Sequence, residues 1–88
     1  MSHPRLEATT RDHVMRAARL IKKPKPIQKW SCIVRANGIA YELPVKQLLM
    51  AAANLVESHD QRLTPADFTA HIAAKKLEKL GLEVRYQE

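Results

Sequence analysis

Cysteine occurs only once in this sequence, at Cys32, so the chain cannot form an internal disulfide. Residues 1–5 also lack the apolar core of a signal peptide, and both features are typical of a protein from a reducing compartment. No apolar run approaches the roughly 18 residues that a transmembrane helix needs. We therefore expect a soluble cytoplasmic protein, from a bacterium or a phage, whose 88 residues form one domain with one modest core.

Sequence motifs that carry catalysis or bind metals are equally scarce. The chain has no P-loop, no glycine-rich dinucleotide motif and no nucleophile elbow. None of its four histidines forms an i,i+4 pair on a helix or lies close to the cysteine, which argues against a structural zinc site. Glu7 and Asp12 are isolated acids, and Asp67 is explained by helix capping. The sequence therefore predicts a protein without enzyme activity, cofactor, metal or small-molecule substrate.

Acidic residues are rare in the first part of the chain. Residues 1–35 contain nine Lys and Arg residues and two acids, a net charge of +7. Residues 36–88 contain six Lys and Arg residues and seven acids, a net charge of −1. A segregated positive charge raises the local concentration of polyanions such as nucleic acid. Nucleic acid, with DNA as the expected form, is therefore the first partner to consider.

A helix from Thr10 to about Lys23 is predicted inside this basic part. Thr10 is a good N-cap, whereas residues 1–9 show no periodic pattern and are expected to form a flexible arm. Pro24 and Pro26 cannot continue the helix, so a stiff basic connector should follow it. The helix and connector then occupy residues 10–29 of a domain spanning 10–88. Helical spacing separates an apolar face from a basic arc, the arc being formed by Arg16, Arg19, Lys22 and Lys23.

The dipeptide Asn37-Gly38 between two apolar runs is typical of a β-hairpin turn. The predicted strands cover residues 30–36 and 39–43. Their pairing joins Ala36 to Ile39, Val34 to Tyr41 and Cys32 to Leu43. One face of the hairpin is then expected in the core, namely Trp30, Cys32, Val34, Ile39, Tyr41 and Leu43. Cys32 is accordingly interpreted as a buried small hydrophobe rather than a nucleophile, and for Trp30 burial is favoured over stacking on a base.

Two further helices and a third strand are predicted after the hairpin, which completes an α+β fold. Pro44 suits the first turn of a helix over residues 44–57. Lys46 near its start opposes the helix dipole, so it is either placed for a contact or an exposed lysine without a role. A second helical stretch over 65–80 begins with capping-box features at Thr64 to Asp67, restarts near Thr69 and ends at Gly81. Alternation over residues 82–86 predicts a strand that pairs with the hairpin.

A family resemblance covers residues 30–86, about two thirds of the chain. Gly38 and Tyr41 precede Pro44 and Lys46 at the start of an apolar helix, in the run G-I-A-Y-E-L-P-V-K-Q-L-L. The pairs Leu63-Thr64 and Asp67-Phe68 follow, and the run L-E-K-L-G-L-E-V contains Leu77, Leu80, Gly81 and Val84. In these residues the chain resembles the ScoMcrA-like N-terminal head domain, which is found at the front of modification-dependent (type IV) restriction endonucleases.

The resemblance implies a head module with a restriction- or defence-related role and no nuclease activity of its own. Larger proteins of the family continue into sulfur-recognition and HNH nuclease domains, and no nuclease residues occur in this sequence. Two departures stand out. Thr69-Ala70-His71 occupies the place of a glycine-rich stretch, and Leu82 occupies the place of an aromatic residue.

The sequence favours a small non-catalytic module that binds nucleic acid. The side chains expected to contact phosphates are all basic: Arg16, Arg19, Lys22, Lys23, Lys25, Lys29, Arg35 and Lys46. A second interpretation is a protein-interaction module whose basic helix docks on an acidic partner or a larger enzyme, and a weaker third is a helix that lies on a membrane surface. The alternative to all three is an ordinary solvated helix face. No membrane partner is expected, because the apolar residues Met15, Leu20 and Ile21 form a thin face without Trp or Phe.

Overall fold

An antiparallel hairpin lies at the centre of the fold, as the Asn37-Gly38 motif predicts. The computed structural model describes residues 4–27, 29–36, 38–57, 62–64 and 67–86. Strand β1 (Trp30–Ala36) pairs with strand β2 (Ile39–Pro44) in the predicted register. Gly38 has a φ of +79°, a left-handed conformation that suits the turn, whereas Asn37 lies outside the described residues.

The predicted third strand is confirmed as β3 (Glu83–Tyr86), one residue shorter at its start. It pairs antiparallel with β1 and aligns Cys32 with Val84 and Trp30 with Tyr86, so the sheet order is β2-β1-β3. The central position of β1 explains why its inward side chains, Cys32 and Val34, are fully buried.

One expected core residue of the hairpin is not buried. Ile39 is 54% exposed, because it sits beside the turn on an edge strand while the helices pack mainly against β1. Trp30 and Tyr41 are half-buried and pack against the core, and Leu43 is buried as predicted. The opposite sheet face carries exposed polar side chains such as Arg35, Glu42 and Arg85, so the fold has two layers, with helices on one face of the sheet.

Four helices accompany the sheet in the described part of the chain: α1 (Pro4–Ala8), α2 (Arg11–Leu20), α3 (Val45–Ala53) and α4 (Ala70–Lys79). They bury a common core with the inner sheet face, whose largest fully buried side chains include Val14 of α2, Leu48 and Leu49 of α3, and Leu77 of α4. The α+β fold predicted from the sequence is therefore the observed one.

The flexible arm expected for residues 1–9 is wrong over the part that the structure describes. Residues Pro4–Ala8 form α1, and Leu6 packs into the core with 5% exposure. Arg5 is 6% exposed, and its Nη1 donates hydrogen bonds to the carbonyl oxygens of Val56 (2.8 Å) and Ala53 (3.4 Å). The Arg5 cation donates to carbonyls at and just beyond the end of α3 and complements the dipole of that helix. These long-range contacts order α1, although its sequence has no periodic pattern.

Helix α2 begins where the sequence predicts but ends three residues earlier. The Thr10 side chain accepts a hydrogen bond from the His13 amide, and the His13 Nδ1 accepts one from the Thr10 amide, which completes a capping box. The helix ends at Leu20, and the C-cap Ile21 is already extended. Pro24 explains the early end, because its ring would clash with the carbonyl of Leu20 in a continued helix. The predicted basic arc is therefore split between the helix and the connector.

Helix α3 is shorter than the predicted span 44–57. Pro44 ends β2 and occupies the N-cap of α3 instead of its first turn. At the other end, Asn54 is the C-cap, and its side chain bonds to both backbone groups of Leu63, accepting from the amide at 2.9 Å and donating to the carbonyl at 3.4 Å. These two hydrogen bonds hold Leu63 beside the end of α3, and the helix does not continue past Ala53.

The restart predicted near Thr69 is confirmed. Thr69 caps α4 through a 3.2 Å hydrogen bond from the Ile72 amide, and Asp67 accepts from the Thr64 amide at 2.7 Å in a separate turn before it. Pro65 and Ala66 lie outside the described residues. At the C-terminus, Gly81 has a φ of +87°, and the amides of Gly81 and Leu82 bond to carbonyls in the last turn. This is the Schellman pattern, which turns the chain into β3.

Candidate functional site

The basic connector, here residues 21–27 and 29, is held against the first turn of α3. The Gln47 side chain accepts a hydrogen bond from the Lys25 amide at 2.8 Å and donates one to the Lys23 carbonyl at 3.3 Å. Pro24 and Pro26 on either side have no amide hydrogen to offer, so Lys25 supplies the donor. One glutamine thereby fixes the path of the connector and the direction in which its lysines leave the backbone.

A groove of about 450 Å³, here called the connector groove, lies between this connector and α3. Its walls are mainly apolar and include Pro26, Trp30, Pro44, Met50 and Phe68. Three lysines line it as well, Lys25 and Lys29 from the connector and Lys46 from α3. The Lys46 ammonium lies 5.5 Å from the centroid of the Phe68 ring, a cation–π contact. The groove therefore combines flat aromatic surface with positive charge.

The start of α3 adds to this positive potential. Pro44 at the N-cap provides no side-chain hydrogen bond, and the first turn of α3 contains no acidic residue. The first amides of a helix have no intrahelical acceptor and carry the positive end of the helix dipole. Lys46 near this helix start is half-buried and contacts the Phe68 ring within the chain, and its placement for contact with a partner stays a prediction.

Trp30 connects the connector groove to a small aromatic cluster. Its ring lies 4.6 Å from that of Tyr86 and 6.2 Å from that of His71, centroid to centroid, both tilted by 55°. Tyr86 is 51% exposed and His71 is exposed. Trp30 itself is half-buried, so it packs against the core, as favoured from the sequence, and also presents surface to the groove.

Six of the eight sequence-predicted contact residues are exposed cations. They are exposed and form no ion pair with an acid within the described ranges: Arg16, Arg19, Lys22, Lys23, Lys25 and Lys29. Arg16 and Arg19 extend from α2, and the four lysines belong to the connector. The structure brings Lys25, Lys29 and Lys46 together in the groove and ties Lys23 to it through Gln47.

Arg35 is separate from this group. Its guanidinium forms a 3.6 Å ion pair with Glu83, which also accepts a 2.9 Å bond from Arg85. It lines another depression together with Arg11 and Met15 of α2. The Glu83 carboxylate partly offsets the charge of Arg35.

Sequence reasoning missed Gln47, Met50 and Phe68 as parts of the site. Gln47 meets the connector across more than twenty residues of chain, and no local pattern signals such a contact. Phe68 had a weak signal, since the Asp67-Phe68 pair belongs to the family resemblance, but nothing placed it beside Lys46.

Cys32 takes no part in this site. Its side chain is fully buried, as predicted, and burial raises the pKa of the thiol to about 12, with a smaller contribution from the negative charge of Glu83. Within the described residues, no three His, Cys, Asp or Glu side chains are grouped as a metal would require. The helices in that same part of the chain are too short or too polar to cross a bilayer.

No family model, curated protein sequence or solved structure matches this chain. Its function is therefore inferred from its own residues.

Proposed function

We propose that this protein is a small nucleic-acid-binding module, with DNA as the expected target, that acts without catalysis. One observation carries the proposal. Six exposed Lys and Arg side chains project from α2 and the connector without an acidic partner among the described residues. Surface cations that only serve solubility are usually interspersed with acids, whereas a phosphate backbone needs cations that are free to contact it.

The connector adds preorganisation to this charge. Gln47 fixes the backbone at Lys23 and Lys25, so less conformational entropy is lost when their side chains meet a polyanion. Phosphate contacts of this kind supply affinity and orientation without reading sequence. The resemblance of residues 30–86 to the ScoMcrA-like head domain supports a restriction- or defence-related setting in the cytoplasm, and it stays a prediction.

The salt dependence of binding tests the proposal. If six phosphates are neutralised, log K should fall with log salt with a slope of roughly −5, an affinity loss on the order of a thousandfold between about 50 and 200 mM salt. The measurement is fluorescence anisotropy with a labelled duplex and a labelled single strand. An absence of binding to both at low salt would contradict the proposal.

A pair of matched variants separates local contacts from net charge. Replacing Lys22 and Lys23 by Gln should reduce the slope by about 2, because each phosphate contact contributes roughly 0.9. Replacing Lys75 and Lys79 by Gln removes the same charge from exposed positions on α4 and should leave the slope nearly unchanged. Equal effects of the two pairs would mean that charge alone, and not this surface, governs binding.

A protein partner is the second candidate function, and one residue favours it. Leu20 is 62% exposed at the end of α2, one turn after Arg16, and an exposed leucine adds little to phosphate binding. In this alternative the basic helix docks on an acidic partner or a larger enzyme. A stoichiometric partner that survives nuclease treatment in a pulldown, and is lost with Leu20→Gln, would support it.

A further inference from the structure

We propose that the connector groove holds one unpaired base together with its flanking phosphates, so that the protein binds single-stranded nucleic acid more tightly than duplex. This inference rests on the proposed function and specifies its substrate class. It is carried by the position of three lysines on an aromatic-walled groove and by the continuity of that groove with the exposed basic connector.

The size and walls of the groove suit a flat ligand. A volume of about 450 Å³ lies within the range of small-molecule pockets, and Trp30 and Met50 offer apolar surface, whereas Phe68 is 4% exposed and lies behind Lys46 in the lining. Bases of every kind stack on aromatic side chains, since each has a π-face, and this contact tolerates sequence variation. An unpaired base therefore matches the walls without any sequence-specific hydrogen bond.

The charges of the groove determine which flat ligand fits. Lys25 and Lys29 belong to the connector and Lys46 to α3, so cations line the groove from both of these elements. Lys46 lies 5.5 Å from the Phe68 ring centroid, which keeps its charge beside the aromatic wall. A neutral apolar ligand would leave Lys25 and Lys29 without an acidic partner among the described residues, and an acidic peptide would leave the indole of Trp30 without a flat partner. A base with its phosphates uses both features.

The aromatic cluster next to Trp30 extends this surface. Tyr86 lies 4.6 Å from Trp30, ring centroid to ring centroid, and half of its surface is exposed, so it offers a place for a neighbouring base outside the groove. Bases in a duplex are stacked and paired, and one can enter the groove only after leaving the stack, which costs free energy. An unpaired base in a single strand enters the groove without this cost in free energy, so the protein should bind single strands more tightly than duplex.

Trp30 makes the experiment direct, because it is the only tryptophan in the chain and lines the groove. The probes are a short oligothymidylate and a blunt duplex with the same number of phosphates, titrated at one salt concentration. We expect the single strand to bind tighter by on the order of tenfold and to quench Trp30 fluorescence, while the duplex leaves that fluorescence largely unchanged.

Groove variants are compared with a charge-matched control. Replacing Lys29 and Lys46 by Gln should remove most of the preference for the single strand, whereas replacing Lys75 and Lys79, which lie outside the groove lining, should preserve it. Circular dichroism establishes that each variant is folded. The titration of the unsubstituted chain decides the question even if a groove variant unfolds.

The outcomes separate this inference from the proposed function. Equal affinity for both probes with unchanged Trp30 fluorescence would overturn the groove assignment and leave the phosphate-binding surface in place. Binding to neither probe would remove both. A fluorescence change on adding a polyglutamate peptide, with none on adding the oligothymidylate, would overturn the inference in favour of an acidic protein partner.

Discussion

Replacing Arg5 by Ala should destabilise the fold without weakening nucleic-acid binding. Arg5 contributes to the positive charge of the first 35 residues, but the structure uses it internally, with 6% exposure and hydrogen bonds to the carbonyls of Val56 and Ala53. The substitution removes the 2.8 Å donor of the Val56 carbonyl, whereas the Ala53 carbonyl still accepts from the Val56 amide at 3.2 Å, and it removes a cation that complements the helix dipole.

The expected cost follows from the two hydrogen bonds. The 2.8 Å bond to Val56 has good length, and the 3.4 Å bond to Ala53 is long. A hydrogen bond to a charged group contributes ~1.5–3 kcal/mol, so one strong and one weak bond together give about 2–3 kcal/mol. That is a large part of the ~5–15 kcal/mol that stabilises a typical domain. At roughly 4–8 °C per kcal/mol for a chain of this size, Tm should fall by about 8–24 °C.

The assay is thermal and urea denaturation followed by circular dichroism and by Trp30 fluorescence. Arg11→Ala is the matched control, because it removes the same charge from an exposed position and should change stability by less than ~0.5 kcal/mol. Arg5→Lys keeps the charge but lacks the planar guanidinium with its several N–H donors, so the loss of stability should be intermediate. If the free energy of unfolding of Arg5→Ala lies within ~0.5 kcal/mol of that of the parent chain, the capping role assigned to Arg5 is wrong.

Three further predictions concern the connector, the end of α4 and the buried thiol. Gln47→Ala should speed exchange of the Lys25 amide hydrogen by roughly five- to tenfold, because one hydrogen bond of ~1 kcal/mol is lost, and NMR measures this. Gly81→Ala should cost about 1–2 kcal/mol in thermal melts, since φ is +87° and no atom lies within 4 Å of the new Cβ; a loss much above this would mean that unseen contacts matter. Burial raises the pKa of Cys32 from 9.0 to about 12, so its contribution to stability is complete below pH 9 and is lost as the pH rises toward 12. Between pH 8 and 11, the urea concentration at the midpoint of unfolding should therefore fall less steeply with pH for Cys32→Ala than for the parent chain. The same dependence on pH in both proteins would contradict the pKa shift.

Local chemistry explains the parts of the fold that could be predicted. The Asn37-Gly38 dipeptide predicts a two-residue turn, which leaves one way to pair the flanking strands, and β1 and β2 pair in that register. Thr69 and Gly81 act as start and stop signals through bonds to residues within one turn, and both were read from the sequence. These interactions involve near neighbours, so their sequence patterns are sufficient.

The errors arose where distant residues decide the structure. Helix α1 lacks a periodic pattern, yet Leu6 and Arg5 order it through contacts with the core and with α3. Ile39 follows the alternation of a buried strand, yet its place on an edge strand leaves it exposed. Periodicity describes which side a residue faces, and it does not tell whether another element covers that side.

The candidate site shows the same division. The sequence by itself determined the amount and the segregation of positive charge, since both are properties of composition along the chain. Only the tertiary structure decided how that charge is used. Arg5 caps a helix, Arg35 pairs with Glu83, and three lysines meet at an aromatic groove because Gln47 holds the connector against α3. Contacts between residues far apart in the chain make these assignments, and no local pattern encodes them.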